Sequence, residues 1–135
     1  MSELSYSAEL SVEISAGELI DKITILEIKA GRLEDPAKMT NVRTELESLV
    51  AARDAALTPS PELTELTARL KAVNERLWQI EDDIRDCERA KEFEDRFVEL
   101  ARAVYMNNDE RADLKRRINE LLGSRIVEEK SYAPY

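Results

Sequence analysis

Between Pro61 and Met106 the apolar residues Leu63, Leu66, Leu70, Val73, Leu77, Ile80, Ile84 and Cys87 recur alternately three and four positions apart. That is the repeat of a helix burying one seam. No Gly or Pro interrupts the chain between Pro61 and Gly123, so the spacing predicts one long helix over 61–106. Ser60 suits its cap and Pro61 its first turn. Ile84, Cys87, Ala90 and Phe93 step by three before Phe97, Leu100 and Val104 resume the earlier spacing. Such a stammer marks where one packing neighbour gives way to another.

Upstream, Ser15-Ala16-Gly17-Glu18 has the spacing of a capping box, which starts a first helix over 16–34. Leu19, Ile23, Leu26, Ala30 and Leu33 line one face, and Ile20, Ile25 and Ile28 widen it beyond a coiled-coil seam. Asp35-Pro36 reads as a stop and restart, giving a second helix over 36–57 with a stripe at Met39, Val42, Leu46 and Leu49. Asn107-Asn108-Asp109 reads as another stop followed by an N-cap, giving a fourth helix over 109–122 with Gly123 as its left-handed cap.

Leu10, Val12 and Ile14 alternate with polar residues, so a short strand is expected there, pairing with Ile126 and Val127. The predicted fold is all-α and a single domain over 1–135: a long central helix, an antiparallel coiled-coil hairpin arm and a small helical head. The four-residue break at 58–61 makes the second helix antiparallel to the first half of the third, which forms the arm. Two helices leave part of a wide apolar face wet, so the arm is expected to pair with a second chain as a homodimer.

Charge narrows the function classes. Twenty Lys/Arg against 29 Asp/Glu give net −9, which disfavours nucleic-acid binding. No apolar run approaches the roughly 20 residues that span a bilayer, and the first 15 residues lack a basic and apolar leader pattern. No membrane insertion is expected, and a cytoplasmic location is. With no His and the single Cys87, the usual zinc and haem ligands are missing, so neither metal nor cofactor is expected.

Cations collect late in the chain, where residues 96–125 carry seven Lys/Arg against five Asp/Glu. Arg102, Arg111, Lys115 and Arg116, with Tyr105 as an acid, form the candidate site for an anionic ligand. Glu18/Asp21 and Glu92/Asp95 place two carboxylates on one helix face, as magnesium-dependent all-helical nucleotide pyrophosphatases do, although this acidic a composition produces such pairs by chance. Trp78, Tyr132 and Tyr135 are the candidate partner-binding residues. No residue is assigned a catalytic role, and an enzyme is the less favoured class.

Two resemblances add to this reading. Residues 18–33 (ELIDKITILEIKAGRL) resemble the first helix of helical chorismate mutases, which implies a dicarboxylate clamp of Lys22, Lys29 and Arg32 with Arg85 or Arg89; that family's first arginine has no counterpart here. Residues 15–33, 77–85 (LWQIEDDIR), 97–119 (FVELARAVYMNNDERADLKRRIN) and 123–132 (GSRIVEEKSY) resemble an uncharacterised bacterial family of small helical proteins. That resemblance implies a link to glycosyltransferases and tetratricopeptide proteins of envelope-polysaccharide loci. The function expected overall is a non-enzymatic, homodimeric adaptor. The alternative is a small helical-bundle enzyme or binding protein for an anionic metabolite.

Overall fold

The computed structural model describes residues 8–135, so the expectation of an unexported start, which falls on residues 1–7 in part, lies outside them. Four helices follow in order: α1 (Ala16–Arg32), α2 (Pro36–Ala56), α3 (Pro61–Ala90) and α4 (Asp95–Leu122). The all-α expectation holds. The predicted caps form at three of the helix starts: Ser15 accepts from the Glu18 amide, Asp35 from Ala37 and Lys38, and Ser60 from Leu63.

The third helix is not the rod of 61–106. It ends at Ala90, and the chain reverses through 91–94 into α4, which returns antiparallel along α3. Lys91 takes the left-handed conformation at φ 57°, its N–H bonds to the Glu88 carbonyl, and the Glu92 N–H reaches the Cys87 carbonyl. This is a Schellman termination built on a lysine where glycine is usual. The three-residue stammer marks this reversal rather than a change of partner along a continuous helix.

Nor does a helix start at 109. Asn107, Asn108 and Asp109 lie inside α4, because the Asn107 side chain donates to the Ala103 carbonyl and accepts from Arg76 on α3. The Asn amide is thereby occupied on both ends and the helix runs through.

The arm is also reassigned. α2 packs along α1, to which a three-residue turn returns it, and makes no helix-to-helix pairing with α3. The antiparallel hairpin is α3–α4, whose seam α2 therefore cannot occupy. Val42 is the one buried side chain of α2, whereas α1 buries eight residues and touches all three other helices.

The core lies where α1 crosses the open end of the hairpin. Ile20 packs there with Leu63, Leu70, Val73, Leu114 and Ile118, and Leu57 from the α2–α3 connection closes one side. Each such side chain, fully buried, contributes about 1.5–3 kcal/mol. Between Asn74 and Leu114 the only buried residue is Cys87, so the turn end of the hairpin is a thin two-helix layer.

Among the described residues there is no strand. Leu10, Val12 and Ile14 are exposed, so the expected β pairing does not form. The two end segments nevertheless meet: the Ala16 N–H donates to the Ser124 hydroxyl, which donates to the Ile126 carbonyl, and Arg125 pairs with Glu13.

Candidate functional site

Two polar residues of α1, Asp21 and Thr24, point into the hairpin rather than away from it. Asp21, 1% exposed, sits on the wide apolar face of α1 and needs a cation if it is to stay charged. Arg111 supplies it from α4 with two parallel bonds, Nε to Oδ1 at 2.9 Å and Nη2 to Oδ2 at 2.5 Å. Such a fork fixes direction as well as charge. Asn74 on α3 donates to the same Oδ1 and to Thr24 Oγ1, and Thr24 donates to the Asp21 carbonyl. No buried side-chain polar atom among the described residues lacks a partner.

One turn away, Lys115 Nζ lies 2.7 Å from Glu18 and 3.1 Å from Glu128 of the C-terminal segment. Burial pulls the Lys115 ammonium toward losing its proton, but its bonds to Glu18 and Glu128 outweigh that and hold it above the ordinary lysine range. Arg111 is raised in the same way, chiefly by its bond to Asp21. Glu128, bonded by Lys130 and then by Lys115, is held below the ordinary carboxylate range.

This junction depends on close backbone approach. The Gly17 N–H donates to Asn119 Oδ1 at 2.6 Å, and a Cβ on Gly17 would lie 2.9 Å from the Lys115 carbonyl carbon. Asn119 and Ser124 thus satisfy two of the amides that the start of α1 leaves without intrahelical partners.

The C-terminal segment lies across α4. Arg116 pairs with Glu129 at 2.8 Å, and the Tyr135 ring meets Tyr105 edge-on at 5.2 Å. Asp109 beside the Tyr135 hydroxyl raises its pKa above the ordinary tyrosine value. Between segment and helix lies a cavity of about 760 Å³ lined by Tyr105, Asn108, Arg111, Lys130, Tyr132 and Tyr135. Arg111 and Asn108 also wall a groove of about 430 Å³ whose floor is Ile25, Ile28, Leu77 and Trp78.

The predicted anion site is therefore brought together only in part. Arg111, Lys115 and Arg116 converge on the junction of α1, α4 and the C-terminal segment, and each is paired with a carboxylate of the chain itself. Tyr105 reaches the neighbouring cavity, while Arg102 lies further toward the hairpin turn and has no intrachain partner among the described residues. The carboxylates of the Glu18/Asp21 pair go to Lys115 and Arg111.

The clamp implied by the chorismate mutase resemblance does not converge. Lys22 pairs with Glu18, Lys29 faces α2, Arg32 lies over the Trp78 ring at 5.7 Å, and Arg85 pairs with Glu81. Of the partner residues, Trp78 is half-buried, whereas Tyr132 and Tyr135 are 82% and 77% exposed.

Sequence reading missed Gly17, Thr24, Asn74 and Asn119. The signal that could have found Asn74 was a polar residue next to the Leu70–Val73–Leu77 seam, opposite an acid on an apolar helix face.

No curated protein and no solved structure matches the chain. Residues 10–135, spanning all four helices, the α1–α4 junction and the C-terminal segment, match the DUF6165 family of unknown function, and the chain belongs to that family.

Proposed function

We propose that the chain is a bacterial, cytoplasmic, non-enzymatic adaptor that forms a homodimer through its hairpin and presents its C-terminal face to a partner protein. What carries this reading is where bonding capacity is left over. The cations and carboxylates of the α1–α4 junction are spent on one another, whereas apolar side chains stand open along the hairpin turn and α4, including Phe93, Val98, Tyr105 and Met106. A monomer exposing such a row near a two-helix layer gains by covering it. The coiled-coil character expected of the arm belongs to the α3–α4 hairpin in this reading.

The resemblance to a family accompanying envelope-polysaccharide genes supports a glycosyltransferase or tetratricopeptide protein as the partner. Tyr132 and Tyr135 are the natural anchors, since tyrosine is enriched where interfaces are tightest. The test is a sedimentation measurement, expected to give twice the 15.4 kDa chain mass, combined with binding to such a purified partner. Loss of that binding in a Tyr132→Ser, Tyr135→Ser variant is the expected result. Turnover of an anionic metabolite by the isolated chain would overturn it.

A further inference from the structure

α4 carries two seams. The inner one, through Phe97, Leu100, Val104, Arg111, Leu114 and Ile118, faces α3 and α1. A second runs along its solvent side through Asp95, Val98, Arg102 and Tyr105, spaced three, four and three as in a heptad seam, and every member is exposed. Val98 is 50% and Tyr105 43% exposed. The side chains of Asp95 and Arg102 form no ion pair or hydrogen bond within the chain among the described residues, although most charged side chains around them do.

The order along this seam is acid, apolar, base, aromatic. A twofold interface must complement itself, so each residue has to face something that suits it when the seam is laid on a copy of itself. Laid parallel, Arg102 faces Arg102 and Asp95 faces Asp95. The turn region 79–95, with eight carboxylates against three cations, would also lie beside its own copy. Laid antiparallel about Val98, the seam matches. At 1.5 Å per residue Asp95 and Arg102 lie about 4.5 and 6 Å from Val98 on opposite sides, so the acid of one copy comes level with the base of the other to within about 1.5 Å.

We infer that α4 pairs with α4 of a second copy, antiparallel about a twofold axis at Val98, with Asp95 of each copy meeting Arg102 of the partner subunit. This rests on the homodimer reading above and adds to it the face, the direction and the register. Val98 forms the dry centre, two symmetric ion pairs flank it, and the acidic turn of each hairpin lies against the more basic stretch of the other.

The experiment is a charge swap read by sedimentation equilibrium on the full chain. Asp95→Arg and Arg102→Asp each put like charges together twice per dimer and are expected to raise the dimer Kd about tenfold or more. The double variant Asp95→Arg, Arg102→Asp restores opposite pairing and is expected to return within about threefold of the natural chain, a residue well under one tenfold step. Both positions are exposed, so circular dichroism should show all three variants as helical as the natural chain. A dimer indifferent to both single reversals, or one that the double variant fails to recover, overturns the antiparallel register and leaves the homodimer standing. A natural chain that stays monomeric at every concentration overturns the homodimer itself.

Discussion

The two ends of the α3–α4 hairpin are made of the same two helices and are held by different forces. At the open end α1 lies across them, burying Ile20, Leu70, Val73, Leu114 and Ile118 around an ion pair whose acid is 1% exposed. At the turn end only Cys87 is buried, and Phe93 and Phe97 meet edge-on at the surface. Capping adds to the contrast, since Ser60 and Gly123 close the helices at the open end whereas α4 starts at the turn with no side-chain cap. The third neighbour makes the difference, since two helices cannot exclude water from a wide face and three can.

The comparison fails first if the open end does not dominate stability. Leu114→Ala, at a fully buried site touched by three helices, is expected to cost about 3 kcal/mol in urea or thermal unfolding. Val98→Ala at the turn end should stay within about 0.5 kcal/mol. Comparable losses from the two would contradict the division.

Asp21→Ala removes the acid that Arg111 and Asn74 both address, so a loss of about 2–3 kcal/mol is expected from two partly buried donors left without it. Asp21→Asn should recover part of that, because the Asn carbonyl still accepts from Asn74 and Arg111. Gly17→Ala forces α1 away from the Lys115 backbone and is expected to lower stability by about 2 kcal/mol. A stable Gly17→Ala protein in which the amide at position 17 exchanges as slowly as in the natural chain would show that the close approach is dispensable.

Hydrogen exchange sharpens the same contrast without mutation. Amides of 80–104 should open at lower free energy than those of 66–74 and 110–118, since local opening follows buried apolar contact. Dimerisation through α4 would slow exchange around Val98 selectively.

The smallest effect expected is pH-dependent attachment of the C-terminal segment. Glu128 is held below its ordinary carboxylate pKa by Lys130 and Lys115, so its contribution is present above that ordinary value and fades as pH falls through the lowered one. Lys115 is raised, so its contribution is present below the ordinary lysine value and is lost as pH rises through the raised one. Tyr135, raised beside Asp109, is likewise lost only at alkaline pH. Amide NMR of residues 126–135 should therefore show release only below the ordinary carboxylate value of about 4.3 and above the ordinary lysine value of about 10.4, and a bound segment between.

Helix identity and most caps were legible from sequence because Ser15, Asp35-Pro36, Ser60-Pro61 and Gly123 each satisfy a local backbone need. The turn at 91–94 was not, because Lys91 adopts a backbone for which sequence usually shows Gly or Asn, and Asn107 and Asn108, which suit that backbone, are held helical by bonds from outside their own segment. Which helix pairs with which was lost for the same reason. Once the reversal is misplaced, the seam of α3 appears free for α2 when α4 already fills it. The site residues Arg111, Lys115 and Arg116 were legible as a cationic face. Their partners lie about 90 residues away in sequence or in the C-terminal segment, and no local pattern encodes that distance.

The distance has a temporal side. Of the four described helices α1 is synthesised before the others, and Asp21 must wait for Arg111, 90 residues later. At about 5–20 residues per second, that is some 5–18 s during which the buried acid of α1 lacks its cation, with first α2 and then α3 as its neighbours. The slow event in folding this protein should accordingly be the late docking of its earliest helix onto a hairpin that, being local, closes on its own much faster.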